Sequence, residues 1–427
     1  MRTKQILTFM LLLLTVLSCS KKEEFTGVRP DAQLKKVLEE YESQLAGSTN
    51  GWIAYLYPKG GGGYTFQFKF DRSNRVKMQA GYKQEYATTA KESSYRLRAA
   101  QVPSLYFDTY SYLHELADPD PSVLGGATGQ GYLSDFEFSI LRASPDTIYL
   151  KGNLNESELI LVRANAQQGS DYMQKVYAKQ EELKRITKFR YYHNKLTLGG
   201  KNYNITINPE QSTFNVYGAE NNGAARNITY NVTESGLILR EPFVDGDRRI
   251  ERLDDLQIDL ANNSLSAKLS DGTSIRTINE AAPVAVMKST PRSMYNETYQ
   301  YMSLTGFTVN GEVDGYKLSK FPGYVACLFV PRQYVDGYDA FHVFVNFGNT
   351  YITPIFNTEF GDGTIYFKNV LTYISSAGTD YLDIVFPFFN DHFTQLRDEA
   401  GYYVYQTGAK SYDLVSVRDA GIWMRLR

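Results

Sequence analysis

W-I-A-Y-L-Y at Trp52–Tyr57, K-G-G-G-G at Lys59–Gly63 and Y-T-F-Q-F-K-F at Tyr64–Phe70 follow one another with only Pro58 between. In the last of these, Tyr64, Phe66, Phe68 and Phe70 alternate with Thr65, Gln67 and Lys69, the period of two that lines one face of a strand with apolar side chains. The glycines read as a hairpin loop; a phosphate-binding loop would need a lysine after them and a helix to follow. Asp71–Asn74 turns the chain once more, into R-V-K-M-Q. Ahead of this meander, Asp31–Ala46 sets Leu34, Val37, Leu38, Tyr41 and Leu45 on one face at helical spacing, with Asp31 as cap and Gly47 as stop. A helix followed by antiparallel strands is therefore expected.

The pattern then recurs. Strands are predicted at Tyr95–Ala99, Ser104–Phe107, Phe136–Ile140, Ile148–Lys151 and Leu159–Val162, and a second helix from about Asp171 to Lys188. Beyond it, Y-N-I-T-I-N-P-E-Q-S-T-F-N-V-Y from Tyr203 parallels Y-T-F-Q-F-K-F-D-R-S-N-R-V-K-M from Tyr64 in strand, turn and strand. Later segments match in the same order, D-F-E-F-S-I with D-L-Q-I-D-L and T-I-Y-L-K-G with S-L-S-A-K-L. The fold expected is α+β and mainly β: two related helix-plus-antiparallel-sheet modules at 31–165 and 170–280, a linker at 281–291, and a β-rich C-terminal module at 292–427. Within the last, runs such as Y-V-A-C-L-F-V and Y-L-D-I-V-F read as strands, and a short helix is expected near Asn390–Glu399.

A chain of 427 residues suits several cores, since single cores stop growing at about 250–300 residues. A net charge of -2 and a pI near 6.2 give no basic footprint, so nucleic acid is not an expected partner. Arg2 and Lys4 precede an apolar run, Ile6–Leu17, that is too short to span a bilayer and ends in V-L-S-C. Residues 1–19 thus read as a lipoprotein signal ending at an acylated Cys19, with 20–30 as a charged tether. Acylation makes the membrane a partner through the lipid anchor. The remaining cysteine, Cys327, has no disulfide partner and reads as a small core residue.

Aligning the two modules isolates one excursion. Where the second copy has the short F-V-D-G-D-R-R-I-E, the first has S-Y-L-H-E-L-A-D-P-D-P within 102–140, and long loops on rigid scaffolds tend to carry function. His114-Glu115 begins like the zinc-peptidase pattern H-E-x-x-H but ends at Asp118, and the other histidines, 193, 342 and 392, are far apart. Asp108, Glu115, Asp118, Asp120 and Asp135, with Glu137 and the carbonyls of G-G-A-T-G-Q-G, offer oxygens that would suit calcium, although no EF-hand spacing is present. The plainer reading makes Asp118-Pro and Asp120-Pro turn formers, His114 a packing or capping residue, and Asp135 and Glu137 the outward residues of a strand whose Phe136 and Phe138 face the core. Tyr106, Tyr110, Tyr112 and Tyr132, with His114, are the candidate ligand contacts, because tyrosine offers a broad amphipathic face. Neither G-x-S-x-G nor a Cys-His pairing near Cys327 marks a nucleophile.

The lipobox cysteine, the helix before G-W-I-A-Y, the G-G-G-Y hairpin, P-S-L-Y-F-D-T-Y-S-Y-L-H-E-L-A-D-P-D, S-D-F-E-F and K-G-N together resemble a family of Bacteroidetes lipoproteins catalogued as domain of unknown function 4302. The S-K-K-E-E after Cys19 resembles the acidic export signals that send such lipoproteins to the outer face of the outer membrane. That family has no established activity and lends no catalytic residue. The resemblance implies a setting: company with outer-membrane transporters or other surface lipoproteins, and a non-catalytic binding or accessory role in uptake of a glycan or peptide nutrient. The alternatives are a hydrolase using carboxylates of the 108–137 stretch and a structural envelope protein.

Overall fold

The computed structural model describes residues 30–100, 102–218, 225–321, 323–332, 337–345, 351–374 and 382–427. Cys19, the signal and most of the tether lie outside the described residues. Helix α1 (Pro30–Ala46) leads into eight antiparallel strands: β1 (Trp52–Tyr57), β2 (Tyr64–Phe70), β3 (Arg75–Ala80), β4 (Lys91–Ala99), β5 (Pro103–Phe107), β6 (Glu137–Ala143), β7 (Thr147–Gly152) and β8 (Glu158–Arg163). Each pairs with the next, and β8 returns to β1 in a ladder from Trp52↔Arg163 to Tyr57↔Glu158, closing a barrel. Its connections carry three short helical pieces, α2 (Gln84–Thr88), α3 (Tyr112–Glu115) and α4 (Pro121–Leu124). The alternation read from Tyr64–Phe70 holds, since Phe66, Phe68 and Phe70 fill the interior with Trp52, Phe107 and Phe138 while Lys69 is exposed.

Helix α5 (Tyr172–Lys184) and a 3-10 turn (Arg185–Lys188) introduce a second meander: β9 (His193–Leu198), β10 (Lys201–Asn208), β11 (Thr213–Gly218), β12 (Ala225–Val232), β13 (Leu237–Asp245), β14 (Arg248–Asp259) and β15 (Ser264–Leu269). Its outermost strands, β16 (Ser274–Arg276) and β17 (Ile278–Glu280), are separated by Thr277 alone. They form one bent strand, β16 on β15 and β17 on β9, so this sheet also closes on itself. Thr277 holds the bend by donating its backbone N–H to Leu265 O (2.8 Å) and accepting the Leu265 N–H on Oγ1 (2.9 Å).

The C-terminal region repeats the plan: α6 (Thr290–Glu297), β18 (Tyr301–Ser303), β19 (Phe307–Val309), β20 (Tyr324–Val330), β21 (Asp339–Val345), β22 (Tyr351–Phe360), β23 (Thr364–Ile374), α7 (Leu382–Leu396), β24 (Tyr402–Gly408), β25 (Ser411–Ser416) and β26 (Ile422–Leu426). Here β18 pairs with β20 and β19 with β26, and Met302 and Arg427 exchange two backbone hydrogen bonds (2.8 and 3.0 Å) that complete the ring. Phe329, Phe341, Phe356 and Phe367 pack its interior. One expected strand is corrected: Y-L-D-I-V-F belongs to α7 from Leu382 onward, because a short apolar run does not distinguish a buried strand from a buried helix.

The barrels share surfaces. Ile53, Tyr55 and Tyr57, the outward side chains of β1, join the second barrel's core, and Thr65 Oγ1 donates to Val232 O (2.7 Å). Between the second and third barrels Arg425 grips the fully buried Asp413 with two bonds of 2.9 Å, and Tyr192 donates its hydroxyl to the same carboxylate (3.0 Å). We expect Ile53→Ala to cost about 2–5 kcal/mol although it faces away from its own barrel's interior, whereas Lys69→Ala on the same barrel should lie within about 0.5 kcal/mol of wild type. Urea unfolding of both variants checks this.

Candidate functional site

Antiparallel alternation gives the first barrel two ends. Its base carries the β2–β3, β4–β5 and β6–β7 turns together with α1; its mouth carries the other connections, including residues 108–136 between β5 and β6. That excursion plugs the mouth: Leu113 and Leu116 are fully buried against the barrel core, with Tyr112 and Tyr132 packed beside them. Backbone bonds tie it down, Tyr132 N–H to Leu116 O (2.8 Å) and Gly60 N–H to Tyr132 O (2.9 Å). Gly131, at φ 58°, lies so close to the Asp118 and Leu116 carbonyls that a Cβ would stand 2.6 and 2.9 Å from their oxygens, so only glycine fits.

The acidic residues hold the loop in shape. Asp118 Oδ1 accepts the Asp120 N–H (3.0 Å), and Asp120 caps α4 by accepting the Ser122 N–H (2.8 Å) ahead of Pro121, a bond that also lowers its carboxyl pKa. The buried Asp135 accepts three backbone N–H groups of the β7–β8 connection, Leu154 (2.9 Å), Asn155 (2.9 Å) and Ser157 (3.0 Å). This corrects the alternation expected at 135–138: the strand starts at Glu137, Asp135 folds inward to its amides, and Phe136 turns out, 38% exposed. Phe138 does face the core.

Tyr110, Tyr112, His114, Glu115 and Asp118 come together at the mouth. Tyr110 donates its hydroxyl to Asp118 Oδ2 (2.5 Å), and the Lys91 ammonium lies 5.2 and 5.3 Å from the Tyr110 and Tyr112 ring centres and 3.7 Å from Glu115. Glu115 Oε2 accepts the Tyr86 hydroxyl (2.6 Å), and the Tyr86 ring stacks on Tyr112 at 4.0 Å. His114 sits between Tyr110 and Phe136, stacked on the latter at 4.7 Å. Its Nε2–H donates to Phe107 O (3.2 Å), which leaves Nδ1 to accept from Ser111 Oγ (3.0 Å), and burial lowers its pKa, so the ring stays neutral.

Other candidates stand apart. Tyr106 is on the outer wall with Arg96 over its ring, and Asp108 pairs with that arginine at 2.9 Å. Tyr132 contacts Tyr64 on the inner side. The carboxylates expected to suit calcium thus have separate partners, and among the described residues no three His, Cys, Asp or Glu side chains gather where they could hold a metal. Sequence reading missed Tyr82, Lys83 and Tyr86 around α2, Lys91 and the outward Phe136; the four-residue spacing of Tyr82 and Tyr86 was their one local signal.

It also missed a pairing. Cys327 Sγ lies 3.7 Å from His392 Nε2, 65 residues away on α7, and both are fully buried in the third barrel. Burial pushes the thiol up to about 12 and the imidazole down to about 3, so the contact is between neutral groups and supplies no thiolate nucleophile.

A family model described as a domain of unknown function, DUF4302, matches residues 22–256. The chain belongs to that family. The DUF4302 match takes in α1, the whole first barrel with its plugged mouth, and the second barrel as far as β14; the third barrel lies beyond it. No curated protein matches the chain. Among solved structures, a crystal structure of the C. crescentus beta sliding clamp with PEG bound is 12% identical over 92% of this chain and 96% of that one, with a TM-score of 0.15, and lends no argument about fold.

Two further measurements follow from these groups. His193, buried between the second and third barrels, is held near pKa 3 by burial, as is His392, against 6.5 for a free imidazole. The unfolded chain therefore binds protons below 6.5 that the folded chain refuses, so stability should be full above that pH and fall as pH drops toward 3, by up to about 1.4 kcal/mol per pH unit for each ring. Urea midpoints measured between pH 7 and 5 should decline, less steeply in His193→Phe. Asp135→Ala should destabilise by about 3 kcal/mol through loss of its charged hydrogen bonds, read as a lowered melting temperature.

Proposed function

We propose that this protein is an acylated lipoprotein of the outer membrane, facing the cell exterior, that binds a glycan or peptide without turning it over, as an accessory to a nutrient-uptake transporter. The anchoring part rests on V-L-S-C and the charged tether after it. The binding part rests on one observation: the mouth of the first barrel holds its carboxylates on internal partners while leaving apolar faces to solvent. Tyr110 is 49% exposed, Phe136 38% and Leu154 84%, all on the excursion or on the β7–β8 connection bound to it through Asp135. Rigid aromatic side chains set on a fixed loop offer stacking area at low entropic cost.

A hydrolase would need a carboxylate free to act as acid, base or nucleophile. Asp118 accepts from Tyr110, and Glu115 accepts from Tyr86 beside Lys91, arrangements suited to holding the loop. The test is a thermal-shift screen against glycans and peptides with turnover followed in parallel. A ligand at a hundred times its dissociation constant should stabilise the chain by about 2.7 kcal/mol. Tyr110→Ala with Phe136→Ala should remove that shift while leaving the unliganded melting temperature within a few degrees of wild type; product formation abolished by Asp118→Asn would overturn the non-catalytic reading.

A further inference from the structure

The base of the first barrel carries a patch that its fold does not use. A bulge in the β6–β7 ladder between Ile140 and Arg142 throws Leu141 outward to 62% exposure. The 42% exposed Val102 precedes β5, and the β5–β6 ladder has its last pair toward the base at Ser104↔Ser139, two residues from Val102 on one strand and two from Leu141 on the other. Two exposed arginines flank this apolar pair: Arg98 on β4, in register with Ser104, and Arg142, whose guanidinium lies 3.8 Å from the Tyr149 ring centre. Among the described residues neither has a carboxylate partner, whereas Arg75 pairs with Glu92 and Arg163 with Asp146.

The way the chain enters the barrel says what this patch faces. Helix α1 belongs to the base, where Gln44 Nε2 donates to Ser144 O (2.6 Å) in the β6–β7 turn, next to Arg142 and Leu141. From Cys19 to Pro30 there are only eleven peptide steps, a reach of at most about 40 Å. An acylated Cys19 would thus hold the membrane on the side from which α1 starts. Leucine and valine set between two arginines that stack on Tyr106 and Tyr149 and have no carboxylate partner among the described residues suit the boundary of a bilayer with acidic headgroups, the apolar pair entering the interface and the guanidinium groups meeting phosphate.

We propose that the base of the first barrel, through Val102, Leu141, Arg98 and Arg142, rests on an anionic lipid surface and points the plugged mouth away from it. The inference builds on the lipoprotein reading, and the two can fail separately. The chain from Ser20 onward, which contains every described element but no acyl group, is mixed with vesicles of phosphatidylcholine alone or with phosphatidylglycerol, and co-sedimentation is measured at low and high salt. Binding to the anionic vesicles only, weakened by salt, is expected. Arg98→Glu with Arg142→Glu should weaken it tenfold or more, and Val102→Ser with Leu141→Ser should weaken it without changing its salt dependence. Unchanged melting temperatures would show that these exposed substitutions leave the fold intact. Equal sedimentation of wild type and the charge-reversed variant, or none with either vesicle, would overturn the proposal. Mass spectrometry of Cys19 in the membrane-extracted protein tests the anchor independently: an acylated Cys19 with no vesicle binding sinks the patch alone, and vesicle binding with a free Cys19 sinks the anchor alone.

Discussion

Strand β1 has no solvent face, and the architecture follows from that. Trp52, Ala54 and Leu56 point into the first barrel, while Ile53, Tyr55 and Tyr57 belong to the core of the second. Its two edges are taken by β2 and β8. The indole N–H of Trp52, sealed from water, donates to Leu45 O at 3.0 Å and so fixes the end of α1 to the strand's first residue. One six-residue segment therefore closes a barrel, seats a helix and joins two cores, which couples elements more than a hundred residues apart.

The three barrels also differ in an orderly way. Counting β18 and β19 as one interrupted first strand, the connection from the fifth to the sixth strand is residues 108–136 in the first, the stretch containing α7 in the third, and the tight Gly246-Asp247 turn in the second. The two long versions are interior plugs, one through Leu113 and Leu116 and the other through Phe389, His392 and Phe393. A common scaffold has thus been elaborated twice at the same place. The first elaboration combines its plug with the Tyr110–His114–Phe136 row at the surface.

Much of this was legible in the residues because strand side chains alternate. Tyr64–Phe70 announced its inward face, the parallel between Tyr64 and Tyr203 reflected the second and third strands of two meanders, and the excursion stood out as unmatched length. Closure was not legible: the pairing of β1 with β8, and the bend at Thr277 that lets one strand serve two neighbours, are long-range facts without a local signature. The third copy was obscured because its first strand is broken at Leu304–Gly306 and its plug is apolar enough to read as another strand. At the mouth, Asp135 misled because a carboxylate that accepts three amides has the same sequence signature as a solvated one.

Ring closure has a consequence for how this chain can meet other molecules. An open sheet presents a row of unpaired amides and carbonyls to which a foreign strand can be added, a common means of peptide capture and a common origin of aggregation. The first sheet closes as a barrel and the outermost strands of the other two pair back onto their own sheets, so these seams have their backbone hydrogen bonds satisfied within the same molecule. Along these closed seams a foreign strand finds no free edge to extend, so a long array of strands is kept from polymerising through them.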